Sequence, residues 1–355
     1  MNDNHNPWGN LNRPHNHTPH RPWEDSHRFG DSYPSPPPGS NPLRRLLRQN
    51  ANGVCAALAL VFAVAPVFGF IMQLLFVIFP GFAVFIFGLS PAGLGLINMI
   101  VFAVALLVPT LFIMRFYRIP TGVALPMRRT PAHLTVSGVF CALGASVVGV
   151  YIAVMLSAII SAATGATPTM PDFSPPEYGV SATIVFLISL SVIPAVFEEL
   201  LFRGAIMQSL RRFGDPFALV VSSILFAMLH RNLLQGPNAL ITGLVLGYFT
   251  LRTGSLIPAI VAHFVNNLIV GGMSVIMLHI PGHYADMLNF SIIPAYLVLG
   301  GIGLAIMSRK GGGFVPLRQS PTGLLEGQKY LLFFTSPLAL VFIAATIWQT
   351  WQFIN

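Results

Sequence analysis

Two adjacent carboxylates, Glu198 and Glu199, stand in the stretch FEELLFRG, directly after the apolar run SVIPAV. An ionised side chain in the middle of a bilayer costs a few kcal/mol even on lenient insertion scales, so a neighbouring pair requires compensation. Glu199 and Arg203 are spaced i, i+4 with the acid on the N-terminal side, the favourable order for an ion pair on one helix face. Glu198 projects about 100° away and has no partner on its own helix. The spacing thus assigns one carboxylate to structure and leaves the other available as a base. Of the 11 Asp and Glu residues, this pair alone falls within a predicted span.

Two further pairs follow: Phe226 with His230 in FAMLH, and His263 with Asn267 in HFVNN. Each is spaced i, i+4, which stacks its members on one helix face. The chemistry such groups suit is amide hydrolysis. It needs a base to deprotonate water, and a desolvated carboxylate is a better base at neutral pH than an exposed one. It also needs donors for the tetrahedral oxyanion, each worth about 3 kcal/mol in a dry site. Counted from the inner helix ends, Glu198, His230 and His263 lie at one depth, roughly 16 to 23 Å from the cytoplasmic edge. Each residue alone has a plainer reading: a packed His, a helix-fixing ion pair, a core Phe226, Asn267 as interhelical glue. Their joint occurrence at matched depth favours a site.

The elements that must position these residues are membrane helices. With 54% hydrophobic and 8% charged residues and a mean hydropathy of +0.71, the 355-residue chain lies outside the soluble range. Continuous apolar runs, without the alternation of a barrel, predict an all-α polytopic membrane protein: a bundle of eight or nine transmembrane helices around a polar cavity. The predicted spans cover 53–79, 94–114, 134–162, 182–209, 216–233, 238–251, 255–278, 290–308 and 331–350, the last ending in interfacial Trp348 and Trp351. Span six is short and contains glycine, which suits a helix tilted or buried among others. Arg44, Arg45 and Arg48, then Arg115, Arg118, Arg128 and Arg129, then Arg211 and Arg212 place the N-terminus and these loops in the cytoplasm, whereas the segment holding Asp172 and Glu177 faces outward. A plasma (inner) membrane is the expected location.

Residues 1–42, rich in Pro, His and Asn, read as a disordered cytoplasmic tail, and the scattered His5, His15, His17, His20 and His27 carry no chemistry. The first apolar run is too long and too late for a cleavable signal peptide. Residues 43–180 read as N-terminal transmembrane helices, 181–275 as a catalytic core and 276–355 as C-terminal helices. The formal charge of +8 is scattered among hydrophobic segments, which argues against nucleic acid as a partner. Cys55 and Cys141 give no disulfide framework, and no phosphate-binding loop or internal repeat is present.

The motifs Glu198-Glu199-x-x-x-Arg203, Phe226-x-x-x-His230 and His263-x-x-x-Asn267 resemble those of the CAAX protease and bacteriocin-processing (CPBP, or Abi) intramembrane endopeptidases. The resemblance spans roughly residues 182–271. It implies a membrane-embedded peptidase with a water-filled cavity open to the cytoplasmic side, acting on a hydrophobic or lipidated peptide or protein. It further implies that Glu198, helped by His230, activates water, that His263 and Asn267 bind the oxyanion, and that Glu199 and Arg203 support the site with Phe226. A glutamate mechanism without a cofactor is favoured. The alternative is zinc on Glu198, His230 and His263, although no spacing such as HExxH preorganises these ligands. Two other functions stay open: a catalytically silent scaffold or immunity protein of the same fold, which would tolerate Glu198→Gln and His230→Ala, and a proton-coupled transporter, for which inverted repeats are lacking. The end QTWQFIN has no CAAX box of its own.

Overall fold

The computed structural model describes residues 42–171, 175, 179–319 and 323–354; the expected tail, with its histidines, and the acidic positions 172 and 177 lie outside them. Among the described residues the chain is helical, with a single isolated bridge between Pro168 and Ile354. Six helices are long and apolar enough to cross a bilayer: α1 (Pro42–Ile78), α3 (Pro91–Phe116), α5 (Ala132–Thr164), α6 (Val180–Phe213), α9 (Ile257–Met277) and α10 (Gly282–Arg309). A bent pair, α11 (Glu326–Phe334) and α12 (Pro337–Trp351), makes a seventh if counted as one span. Short helices α2 (Pro80–Phe87) and α4 (Thr121–Ala124) lie in connections.

The count is therefore six or seven spans among the described residues, below the eight or nine expected. Predicted span five is α7 (Asp215–Leu229), whose 15 residues reach only about 23 Å at 1.5 Å per residue, short of a hydrocarbon core of about 30 Å. Predicted span six is α8 (Gly236–Thr253), where Asn238, Thr242, Thr250, Arg252 and Thr253 dilute the apolar residues. The last run is broken rather than continuous: α11 and α12 meet at 70°, where Pro337 opens the second helix. Helix α10 begins at Gly282, earlier than predicted, so a third acid, Asp286, sits in a spanning helix. It lies exposed in the first turns, where it is spared the cost of burial.

Helix ends follow local chemistry. Ser90 caps α3 by accepting from the Gly93 amide at 3.2 Å, with Pro91 at the first helical position. Gly254, at φ 62°, ends α8 in the left-handed conformation that side chains resist, and turns the chain into α9. Helix α6 packs against α3 and α9, α7 packs against α8, and α5 supports α8, α9 and α10. One apolar cluster joins α1, α3, α6 and α7 through Leu58, Ile113, Phe202 and Phe217; a second joins α5, α8, α9 and α10 through Leu143, Leu246, Ala262 and Tyr296. Cys55 and Cys141 are free thiols. Short α7 and α8 are wrapped by longer helices, and the motifs of α6, α7 and α9 meet between them.

Candidate active site

Glu198 and Glu199 end the regular α-helical part of α6; from Leu200 to Ile206 the helix widens into a π-helix before narrowing again at Met207. Such wide turns interrupt α-helices mainly at functional sites. Arg203, inside the wide turn, places Nη1 2.8 Å from Glu199 Oε1. Both side chains are shut off from solvent. The guanidinium also donates through Nη2 to the Gly243 carbonyl on α8 at 3.1 Å and lies 4.3 Å over the Phe226 ring. Three elements thus share the desolvation cost of this cation.

His263 brings α9 into the same cluster. Its Nδ1 lies 2.9 Å from Glu199 Oε1 and its Nε2 lies 3.8 Å from Glu198 Oε2. An ionised Glu199 paired with Arg203 can only accept, so Nδ1 carries the hydrogen and Nε2 is turned to Glu198. Glu198 Oε2 and Glu199 Oε2 are buried and accept no hydrogen bond from protein. The two carboxylates differ in access: Glu198 keeps 6% exposure and Glu199 none, so Glu198 is the one a water can reach.

Phe226 is the hub. Its ring meets the Phe202 ring at 5.1 Å, the His230 ring at 4.9 Å and the His263 ring at 5.9 Å, all edge to face. His230 closes α7 as its C-cap, and its Nδ1 lies 2.9 Å from the Phe226 carbonyl. A carbonyl only accepts, so Nδ1 carries the hydrogen here too, and Nε2 of the neutral ring is left as an acceptor. His230 is half-buried, more open than His263.

The structure therefore gathers Glu198, Glu199, Arg203, Phe226 and His263 into one contact network, with His230 joined through the Phe226 ring and main chain. The members of the third motif take different partners. His263 meets the carboxylates, whereas Asn267, one turn beyond it, donates from Nδ2 to the Leu190 carbonyl at 3.1 Å and accepts from Asn266 at 3.3 Å. Gly243 is a participant that the motifs did not announce. A Cβ there would stand 3.1 Å from Arg203 Nη2 and 3.3 Å from the Phe226 ring, so the close approach of α8 depends on its absence. The available signal was the glycine in a short, polar-spotted helix. Among the described residues no three His, Cys, Asp or Glu side chains converge as a metal site.

Residues 180–269 match the family model described as Rce1-like, the type II CAAX prenyl endopeptidase family. The matched segment opens with α6 and closes within α9, so it contains all three motifs and every contact described above. This bears out the resemblance to CAAX proteases, and the apolar helices make the chain an integral multi-pass membrane protein. No curated protein and no solved structure matches the chain.

Proposed function

We propose that the protein is an intramembrane endopeptidase that hydrolyses a peptide bond of a membrane-associated or CAAX-like substrate with water activated by Glu198. The observation that carries this reading is the asymmetric carboxylate pair: Glu199 is consumed by Arg203 and His263, whereas Glu198 Oε2 is buried, unbonded and faces His263 Nε2 at 3.8 Å. In the first step Glu198 takes a proton from water as the oxygen bonds to the substrate carbonyl carbon. His230, with Nε2 as an acceptor, helps orient that water. The negative charge that moves to the carbonyl oxygen is stabilised by the His263 ring and by the second N–H of the Asn267 amide. The C–N bond then breaks as Glu198 returns the proton to the leaving amine.

The membrane helices and the family match support a substrate that is hydrophobic or lipidated near the scissile bond, approached within the lipid bilayer. The arginines flanking α1, α3 and α6 support a cytoplasmic N-terminus and a plasma (inner) membrane location. Glu198→Gln tests the reading in proteoliposomes carrying a prenylated CAAX peptide. Loss of at least about 100-fold in turnover is expected, with unchanged folding. Wild-type turnover by the variant refutes the glutamate mechanism and returns the protein to the scaffold class. A comparison of the membrane proteomes of deletion and Glu198→Gln cells would then identify the natural substrate.

A further inference from the structure

The Leu190 carbonyl that receives the Asn267 amide is no arbitrary acceptor. In an α-helix the carbonyl of residue i accepts from the N–H of residue i+4. Residue 194, which should serve Leu190, is a proline within the helical part of α6. Proline has no N–H, so Pro194 withdraws the donor due to Leu190. A main-chain carbonyl left unserved in lipid is costly. Asn267 on α9 meets that need from another helix at 3.1 Å. The neighbouring Ser191 Oγ donates instead to the Leu187 carbonyl at 2.5 Å, and the buried Ser189 Oγ makes no hydrogen bond.

The bond also settles how the Asn267 amide is turned. Asn266 Nδ2 donates to Asn267 Oδ1 at 3.3 Å, so the carbonyl end is held on α9 and the NH2 end on α6. One N–H is spent on Leu190, and the direction of the second is thereby set. On α6, Leu190 precedes Glu198 by eight residues and Pro194 by four; on α9, His263 precedes Asn267 by four, so the clasp lies within about two helical turns of the carboxylate cluster. We infer that Pro194 is a positioning residue: by removing a main-chain donor from α6 it creates the acceptor that orients Asn267 and locks α6 to α9 beside the site. The catalytic consequence rests on the hydrolase reading; the coupling of Pro194 to Asn267 does not.

The test is a double-mutant cycle of wild type, Pro194→Ala, Asn267→Ala and the double variant, first by thermal unfolding in detergent. Alanine is the stronger helix former, so Pro194→Ala folds and restores an N–H for Leu190. Asn267→Ala should lower the apparent Tm by about 2–4 °C in the wild-type background and by under about 1 °C in the Pro194→Ala background. Equal shifts in both backgrounds overturn the inference. Asn267→Leu, of similar volume and without donors, repeats the cycle if the cavity left by alanine dominates both shifts. In proteoliposomes with the prenylated CAAX peptide, Pro194→Ala should reduce kcat about tenfold with KM within about twofold, and should add nothing to Asn267→Ala. A wild-type kcat, or losses that multiply, overturns the positioning role. The thermal cycle needs no turnover, so an inactive wild-type protein would defeat the hydrolase reading and leave the clasp to be judged by its own measurement.

Discussion

Replacing Glu199 by Gln removes the carboxylate that Arg203 and His263 share. Glu199 Oε1 accepts from Arg203 Nη1 at 2.8 Å and from His263 Nδ1 at 2.9 Å, and neither Glu199 nor Arg203 touches solvent. A hydrogen bond to a charged group contributes about 1.5–3 kcal/mol, so two together give about 3–6 kcal/mol. Removing one member of a buried ion pair independently suggests about 3–5 kcal/mol. Gln retains a carbonyl that can accept one of the bonds, which places the expected loss near the lower end, about 3 kcal/mol. At about 2 °C per kcal/mol for a domain of this size, the apparent Tm falls by roughly 6 °C. A thiol-reactive dye in detergent reads the transition through Cys55, which is 1% exposed in the folded protein. Glu199→Gln combined with Arg203→Met removes the stranded cation and should recover most of the loss, since apolar replacement of a whole buried pair is often neutral. A Tm within about 1 °C of wild type for Glu199→Gln alone, or a double variant worse than the single, refutes the view that Glu199 holds the cation in place.

Gly243→Ala should lower stability by about 1–3 kcal/mol, measured by the same thermal assay, because its Cβ would crowd the Arg203 guanidinium at 3.1 Å and the Phe226 ring and Ser223 Cβ at 3.3 Å. Raising the pH above about 10 should destabilise the protein. Burial holds the Tyr117 hydroxyl above its ordinary 10.0, against the opposing pull of Arg212. The folded state keeps this proton where the unfolded chain loses it, so the stability is whole below pH 10.0 and is lost as the pH rises beyond it. Tyr117→Phe, which forfeits the bond to the Asn50 carbonyl at 3.0 Å, should flatten the fall in Tm between about pH 9 and 11.

The ion pair of Glu199 with Arg203 was legible because both partners lie on one helix, where spacing alone dictates proximity. The meeting of α6, α7 and α9 was legible from motifs at one depth. The binding of His263 Nδ1 by Glu199, and the departure of Asn267 to Leu190, depend on the rotation of α9 about its axis, which periodicity in a uniformly apolar helix leaves undetermined. Gly243 escaped notice for the same reason: its contribution is a carbonyl and an absent methyl, neither of which is a side-chain signal. The spans were over-counted at α7 and α8 because hydropathy registers apolar residues whether they face lipid or other helices. The unbroken reading of 331–350 missed the bend because the run began inside α11 and treated Pro337 as one residue among many.

The π-helical stretch Leu200–Ile206 sets a geometric condition on everything below it. A wide turn accommodates about one residue more than an α-turn, or about 100° of rotation about the axis. Before it, Glu199 must face His263 on α9; after it, Met207 and Leu210 must face the apolar cluster shared with α1, α3 and α7. A uniform helix could satisfy one of these bearings but would swing the other aside, so the swelling acts as a coupling between two differently phased shafts. Excising a single residue there would retain every motif letter and still misalign the rod with one of its two anchorages.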